Sequence, residues 1–439
     1  MKAIVLAGDK HYLTPILTTI KSILYYNQNV KLYILHQNIP SDWILELKIQ
    51  VERLGSIVED IYIGNAIDSE WRTQEHISPI AYARFLIPRL VKEERVVYLD
   101  SDIIINGDLS SLFELDLGDY SIAAVRDADG NGFNSGMLVI DSQKWREKDV
   151  TSMLFDKTVE YMSYLDHTNT EGFNGDQTIF NLVFQNHWLE LNKHFNLQVG
   201  HDVIAFYSHW DSHFELDQEP LIIHYTTYRK PWSTLMGYRY RDLWWAFRDI
   251  SFCQIADHYA GHFIIKRVYD LHDVNLFTFT DSQDVLYIDE LAKALPEVGF
   301  HIGAYTDMGD ILLALDNYPN VHLYPSMVGV VIDEMIEKSD AYLDIHKGSS
   351  MEFIVDRYIN ADKPVMTFDI TNKNQLEKIV VSSQSPQSMI EAIKELKKDK
   401  MNMKAIVLGA NYQYADQVVT TIKSICSHNR QIRFYLINN

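Results

Sequence analysis

The chain has 439 residues, of which 47% are hydrophobic and 23% charged, a composition that excludes a mainly disordered protein. Its formal net charge of −21 argues against a nucleic-acid-binding surface and against broad adsorption to anionic membranes. Cys253 and Cys426 are the only cysteines, so we expect neither a disulfide framework nor a cysteine zinc site, and we expect a cytoplasmic protein without a transmembrane segment.

The first 260 residues alternate between apolar runs and amphipathic stretches. The pattern predicts strands at 2–7, 30–35, 95–99, 120–125, 137–140 and 221–225, and helices at 13–26, 41–54 and 78–90. Such alternation is typical of α/β proteins in which ligands bind beyond the carboxyl ends of the strands. We therefore predict a nucleotide-binding α/β domain over residues 1–260.

Residues 261–400 show the same kind of alternation with unrelated sequences. Short apolar runs lie at 263–268, 285–288, 321–323, 341–344 and 364–368, and helical stretches lie at 289–295, 307–315, 328–338 and 388–396. Strands that alternate with helices predict a parallel sheet with helical crossovers. The prediction is a second, smaller α/β domain.

The end of the chain repeats its beginning. The segment MKAIVL occupies residues 1–6 and 403–408, and TTIKSI occupies residues 18–23 and 420–425. A strand–helix–strand unit cannot bury both of its faces alone. We interpret residues 401–439 as the truncated start of a second copy of the N-terminal module. A remnant of an old duplication, packed as an appendage, is the alternative.

Two carboxylates follow the predicted strand at Val96–Leu99. Asp100 and Asp102 are separated by one residue and are followed by the apolar run Ile103–Ile105. Side chains two apart on a strand point the same way, and adjacent carboxylates repel unless a positive charge lies between them. A divalent cation is the usual solution. Helix capping or turn formation is the alternative interpretation.

A second strand ends in a histidine. Leu221–Ile223 leads to His224, and the cations Arg229 and Lys230 follow within a few residues. His224 could complete a metal site begun by Asp100 and Asp102, and Lys230 could neutralise phosphates bound to the same metal. Taken alone, a histidine at a strand end is more often a hydrogen-bonded core residue.

Several motifs in this order resemble glycosyltransferase family 8, whose members are retaining transferases that use nucleotide sugars on the A-type fold. The segments that carry the resemblance are Ile4–Tyr12, His76–Phe85, Tyr98–Asp102, Leu115–Asp119, Phe133–Met137, Gly175–Gln177 and His224–Trp232. Two positions depart from the family pattern. His11 stands where the family often has a polar amide, and Thr227 stands where a glycine usually lets the backbone approach the phosphates.

The resemblance implies a fold and a set of roles. The fold is α/β, an A-type domain with Rossmann-like nucleotide-sugar binding followed by a smaller α/β domain. The metal, Mn²⁺, is held by Asp100, Asp102 and His224, and Lys230 helps to stabilise the departing diphosphate. The uridine and ribose are held by Ala7, Asp9, His11 and Asp100. Further nucleotide-sugar contacts are implied for His76, Arg84, Ser101, Asn134, Ser135 and Thr227.

The catalytic residues implied by the resemblance are Gln177, Asp176 and Asp127. Gln177 is placed beside the anomeric carbon, and because an amide is a poor nucleophile we favour front-face transfer assisted by the leaving diphosphate. Double displacement through Asp176 is the alternative.

The leading functional hypothesis is transfer of galactose or glucose from a UDP-sugar to a glycan or glycoprotein. The order of modules resembles, more weakly, the transferases that glycosylate bacterial serine-rich repeat adhesins. The middle domain resembles the nucleotide-binding half of a B-type transferase, which implies an acceptor-binding or structural role. The alternatives are a non-catalytic nucleotide-sugar or glycan-binding subunit and a nucleotidyltransferase. Exposed strands in the tail predict docking on the chain itself or self-association.

Overall fold

The chain folds into two units, each built around its own sheet. The computed structural model describes residues 1–68, 70–73, 78–165, 172–210, 215–349, 351, 353–373, 378–401, 404–409, 418, 421–422 and 432–437. One unit comprises Met1–Val268 and Ser326–Val331, and the other comprises Tyr269–Pro325 and Ile332–Asn439. Within the part of the chain described, no helix combines the length and apolarity needed to span a bilayer.

The elements of the first unit run in chain order as an α/β pattern. Its strands are β1 (Lys2–Gly8), β2 (Val30–His36), β3 (Ile57–Tyr62), β4 (Arg95–Leu99), β5 (Ile103–Ile105), β6 (Ile122–Arg126), β7 (Phe133–Asp141), β8 (Leu189–Leu191), β9 (Leu197–Gln198) and β10 (Ile222–His224). Its α-helices are α1 (Leu13–Tyr26), α2 (Ser41–Arg53), α3 (Ile87–Leu90), α4 (Ser110–Phe113), α5 (Ser142–Glu147), α6 (Val150–Leu165), α7 (Gly175–Val183), α8 (Asp202–Tyr207), α9 (Arg241–Asp249) and α10 (Phe252–Tyr259). Short 3₁₀ helices cover Pro79–Leu86, Lys193–Phe195 and Val199–His201.

A seven-stranded sheet in the order β3-β2-β1-β4-β7-β6-β8 forms the centre of this unit. Strand β1 pairs in parallel with β2 and β4, whereas β7 is antiparallel to β4 and β6. Successive side chains of a strand face opposite sides, so Ile4 and Leu6 belong to one buried cluster and Ala3 and Val5 to the other. Burial on both faces explains why β1 is apolar from residue 3 onward.

A small sheet in the order β5-β10-β9 sets up the site. Strand β10 is antiparallel to β5, with Ile222 opposite Ile105 and His224 opposite Ile103. The backbone amide of Tyr225 donates to the carbonyl of Asp102 (3.0 Å). This pairing brings His224 to the carboxyl end of β4, where the two aspartates follow.

The second unit is built on a fully parallel sheet. Its strands are β11 (Val274–Phe279), β12 (Val298–Gly303), β13 (Val321–Tyr324), β14 (Ala341–Asp344), β15 (Val365–Phe368) and β16 (Ile379–Val381). Its helices are α11 (Ile288–Ala294), α12 (Asp310–Leu313), α13 (Gly329–Lys338, whose first residues belong to the other unit), α14 (Ile354–Asn360) and α15 (Gln387–Met401). The strand order is β13-β12-β11-β14-β15-β16, with every pairing parallel.

Some predicted elements are wrong. The run 263–268 is not a strand, because Phe263 and Ile265 pack against the core of the first unit while Ile264 is 75% exposed and no strand pairs with the segment. The run 285–288 contains only an isolated bridge between Val285 and His346, and a helix begins at Ile288. The sequence pattern also missed the buried strands β11 and β12.

The tail contains the two described strands β17 (Lys404–Gly409) and β18 (Ile432–Ile437). They pair in parallel with Lys404 opposite Ile432, which is the register of Lys2 opposite Val30 in β1 and β2. Most of the repeated TTIKSI segment lies outside the described residues. The interpretation of the tail as a truncated second module stays a prediction.

Candidate functional site

A cavity of about 380 Å³ opens at the carboxyl end of the seven-stranded sheet. Parallel strands present their carboxyl ends at one edge, so motifs that are distant in sequence meet there. The predicted site residues that line it are Ala7, Asp9, Arg84, Asp100, Ser101, Asp102, Asp127, Asn134, Ser135, Asp176, Gln177, His224, Thr227 and Lys230.

Asp100, Asp102 and His224 converge at the floor of the cavity. Each offers one ligand atom, and these atoms lie within 4.8 Å of one another. His224 Nε2 is 3.2 Å from Asp102 Oδ1 and 3.9 Å from Asp100 Oδ2. The two aspartates lie in the turn between β4 and β5 rather than on the strand itself, yet both line the same space.

The donor set fits a divalent cation. Two carboxylates and an imidazole suit Mn²⁺ better than Mg²⁺, which prefers oxygen ligands and its own waters. Gly136 on β7 passes directly against this cluster. A Cβ at that position would lie 2.2 Å from His224 Cε1 and 2.8 Å from Asp100 Oδ2, so only glycine leaves these two side chains in place.

Lys230 is the cation closest to Asp102. Its buried Nζ lies 2.5 Å from Asp102 Oδ2 and donates to the carbonyl of Tyr225 (2.7 Å). Burial alone would raise the pKa of Asp102, but the charge of Lys230 and the adjacent His224 outweigh it and hold that pKa well below its usual range. Asp102 is therefore ionised at neutral pH.

Arg84 is a buried cation between two carboxylates. It comes from the 3₁₀ helix Pro79–Leu86 and is only 4% exposed. Its Nη2 lies 2.9 Å from Asp100 Oδ1, its Nε lies 3.1 Å from Asp176 Oδ2, and its Nη1 donates to the carbonyl of Ser135 (2.6 Å). Tyr98 also donates to Asp100 Oδ1 (2.6 Å). Arg84 thus ties the metal-side carboxylate to the start of α7.

Amide and carboxylate groups line the other end of the cavity. Gln177 Oε1 accepts from Asn134 Nδ2 (3.2 Å) and from the backbone amide of Ser135 (3.1 Å). Asn134 Nδ2 also lies 3.1 Å from Asp127 Oδ1. Burial raises the pKa of Asp127, and it raises the pKa of Asp176 despite the opposing charge of Arg84. Hydroxyl-rich ligands such as sugars are recognised by groups of this kind.

The two residues that depart from the family pattern differ in their position relative to the cavity. His11 is exposed and is not among the residues that line the cavity. Thr227 lines it and has φ of 68°, a left-handed conformation that is unusual for a β-branched residue. The chain therefore keeps the backbone path that glycine would give at this position, at the cost of local strain. His76 lies outside the described residues.

Several lining residues were not predicted. Tyr12 and Tyr228 lie within quoted motifs but carried no chemical signal of their own, and His201 and Ile204 come from a region without a motif. His201 Nδ1 is 2.7 Å from the hydroxyl of Thr226, next to the strained residue. Only proximity in the fold identifies these four.

Comparison with known proteins gives two matches to families. Residues 3–235 match the family described as Glycosyl transferase family 8, and residues 276–408 match the one described as GftB/GlyA-F C-terminal domain. The first match covers the sheet and all residues of the cavity named above. The second covers most of the parallel sheet of the second unit.

Individual relatives are similar over most of the chain. Glycosyltransferase GlyD of Streptococcus pneumoniae serotype 4 is 44% identical over 91% of this chain, which spans only 49% of GlyD. Glycosyltransferase GlyE of the same organism is 35% identical over 90% of this chain and 98% of GlyE. The crystal structure of GlyE matches with a TM-score of 0.51 at 34% identity, covering 90% of this chain and 100% of that one.

Proposed function

The chain belongs to glycosyltransferase family 8, and on this basis we propose that it transfers galactose or glucose from a UDP-sugar to a glycan or glycoprotein acceptor. The observation that carries the proposal is one cavity in which Asp100, Asp102 and His224 converge a short distance from Gln177 and Asn134. A cation site beside a polar, hydroxyl-binding end is what a nucleotide-sugar transferase requires.

Asp100, Asp102 and His224 would hold Mn²⁺. When bound, the cation would supply electrostatic stabilisation of the negative charge that develops on the departing diphosphate. Lys230 contributes a fixed positive charge to the same region, since its Nζ is buried and held by the carbonyl of Tyr225. A buried cation is screened less than one on the surface.

The remaining residues divide between nucleotide and sugar. Ala7, Asp9 and Ser101 lie at the ends of β1 and β4 and are proposed to contact the uridine and ribose. Ser135 and Thr227 complete the proposed nucleotide-sugar contacts. Arg84 does not face the ligand as a free cation, because Asp100 and Asp176 already share it. Its proposed role is to hold both carboxylates in position.

Transfer with retention of configuration is proposed to proceed on the front face. The alternative nucleophile Asp176 is 3% exposed and is paired with Arg84, which leaves it poorly placed to form a covalent bond. Gln177 is an amide held by Ser135 and Asn134. Its Oε1 already accepts two hydrogen bonds, so it suits orientation of the sugar rather than nucleophilic attack. Asp127 is proposed to orient Asn134.

A glycoprotein acceptor, such as a serine-rich repeat adhesin, is proposed together with action in the cytoplasm. The match of residues 276–408 to the GftB/GlyA-F C-terminal domain is consistent with an acceptor-binding or structural role for the region 261–400. We retain the division into a catalytic domain at 1–260 and a tail module at 401–439 as part of the proposal, with self-association through the tail. A non-catalytic binding subunit is disfavoured because Asp100, Asp102, His224 and Gln177 all line the same cavity.

The test is UDP release from a panel of UDP-sugars with Mn²⁺, with and without acceptor. Asp102→Asn should lower release by at least about 100-fold, the usual cost of losing one strong electrostatic stabiliser. Asp42→Asn, the same substitution at an exposed carboxylate on α2, is the matched control. Full activity of Asp102→Asn, or full activity in EDTA, would refute the proposed dependence on a metal ion. Formation of UTP and a sugar 1-phosphate when pyrophosphate is added, in place of UDP release, would indicate nucleotidyl transfer, and a β-linked product by NMR would refute retention.

A further inference from the structure

Asn196 lies behind the metal cluster, outside every motif of the sequence. We propose that Asn196 is a positioning residue that fixes the orientation of His224 for cation binding and couples it to the sugar-side amide Asn134. The inference rests on the proposed function, because it assumes that His224 is a metal ligand.

The fold places Asn196 where it can act on both residues. It immediately precedes β9, which pairs in parallel with β10 so that His224 lies opposite Gln198. Asn196 is 1% exposed, so its amide has no access to bulk water. A buried side-chain amide must find its hydrogen bonds inside the protein. Asn196 finds them at two functional side chains.

The two contacts are short. Asn196 Oδ1 lies 3.0 Å from His224 Nδ1, and Asn196 Nδ2 donates to Asn134 Oδ1 (2.9 Å). Asn134 in turn donates from Nδ2 to Gln177 Oε1 (3.2 Å). A continuous chain of hydrogen bonds therefore joins the imidazole at the cation site to the amide proposed to face the sugar.

A backbone amide fixes which group donates and which accepts in this series of hydrogen bonds. The amide of Gly136 can only donate, and it lies 3.1 Å from Asn134 Oδ1. That atom of Asn134 must therefore be the oxygen, so Asn196 must present its NH₂ group to it. The oxygen of Asn196 then faces His224, and no amide flip satisfies all three residues.

The orientation of Asn196 selects the nitrogen of His224 that binds the cation. The oxygen of Asn196 only accepts, so Nδ1 of His224 must carry a hydrogen. The other nitrogen, Nε2, is the one that points at Asp102, at 3.2 Å. Hydrogen bonds of this kind fix the tautomer and ring orientation of a metal-ligating histidine, and their loss typically lowers metal affinity by about 10–100-fold.

Two substitutions separate the two contacts. Asn196→Asp keeps an acceptor for His224 Nδ1 but cannot donate to Asn134. Asn196→Leu has a similar size and removes both contacts. Asn360→Leu, the same change at an exposed residue at the end of α14, is the matched control. Binding of Mn²⁺ alone, measured by calorimetry on the full chain, is a readout that does not depend on transfer.

We expect Asn196→Leu to weaken Mn²⁺ binding by about 10–100-fold, with Asn196→Asp and Asn360→Leu within a few-fold of the unaltered protein. Asn196→Asp should still lower kcat, because Asn134 loses its donor. Equal Mn²⁺ affinity of Asn196→Leu and the unaltered protein would overturn this inference alone, as would loss of binding in Asn196→Asp. If Asn196→Leu does not fold, Asn196→Ala carries the same expectations. Absence of Mn²⁺ binding by the unaltered protein would instead overturn the proposed metal, and this inference with it.

Discussion

Replacing Arg84 by methionine tests how the cavity keeps its carboxylates buried. Arg84 is bound to Asp100 and Asp176, with N–O distances of 2.9 and 3.1 Å, and its side chain is only 5% exposed. Methionine fills a similar apolar volume but carries no charge. The substitution therefore leaves two carboxylates facing a neutral side chain.

The expected loss of unfolding free energy follows from the burial of the two carboxylates. The side chain of Asp176 is 4% exposed, so solvent screens its charge little, whereas that of Asp100 is 25% exposed and partly solvated. Removing one partner of a buried ion pair costs about 3–5 kcal/mol, because the other charge is left uncompensated. Loss of the hydrogen bond to the carbonyl of Ser135 adds to this. We expect a loss of unfolding free energy in that range.

The cost should depend on pH. Burial raises the pKa of Asp176, and the charge of Arg84 opposes the rise, so the pKa should rise further in Arg84→Met. A folded-state pKa above the unfolded value contributes stability at low pH, and this contribution is lost as the pH rises through the folded-state pKa. The loss of unfolding free energy in Arg84→Met should thus be smallest at acidic pH and should grow toward neutral pH.

The assay is urea unfolding followed by tryptophan fluorescence between about pH 5 and pH 8. All eight tryptophans precede residue 269, so the signal reports on the first unit. Arg89→Met, which breaks an exposed pair with Asp149, is the matched control and should have little effect. Adding Asp176→Asn to Arg84→Met should restore part of the loss. A loss below about 1 kcal/mol, or one independent of pH, would refute the reasoning.

Three further predictions concern separate parts of the chain. Gln177→Ala should lower transfer while leaving UDP affinity unchanged in calorimetry, because the proposed uridine contacts lie elsewhere; a parallel loss of UDP affinity would contradict this. Thr227→Gly should keep the unfolding free energy within about 1 kcal/mol of the unaltered protein, because relief of the left-handed backbone offsets the loss of the side chain. A loss above about 2 kcal/mol in the same urea assay would contradict the inference that the backbone is strained at this residue. Removing residues 402–439 should leave UDP release unchanged, because every proposed site residue precedes residue 233. Size-exclusion chromatography reports any change in oligomeric state. A large loss of UDP release in a truncated protein that still folds would show that the tail completes the site.

The parts of the site that sequence reasoning predicted are those with a local signal. A buried apolar run that ends in Asp100 and Asp102, and another that ends in His224, place charge at strand ends, which is unfavourable without a partner. The topology then brings the two ends together through the pairing of β5 with β10. Local pattern and global fold agree at this point, because the ligand atoms of the three side chains lie within 4.8 Å of one another. Their role as metal ligands stays a prediction.

The parts that sequence reasoning missed depend on distant contacts. Asn196 is an ordinary loop asparagine until β9 pairs with β10 and places it against His224. Strand β11 was missed because the apolar run 263–268, which begins eleven residues earlier, was interpreted as the strand instead. Hydrophobicity alone does not distinguish a run that packs on a core from one that pairs in a sheet. Hydrogen-bond partners decide between them, and these are not visible in a single sequence.

The charges of the cavity would couple the binding of a cation to the binding of a nucleotide sugar. The carboxylates of Asp9, Asp100, Asp102, Asp127 and Asp176 line the cavity, whereas Arg84 and Lys230 bring two fixed positive charges. These positive charges offset part of the negative charge, which helps so many charges to tolerate burial. A bound divalent cation would offset more of the negative charge, and the diphosphate of a nucleotide sugar would then meet less repulsion. Each partner thus creates the electrostatic conditions under which the other binds, and by thermodynamic linkage the two affinities must rise by the same factor.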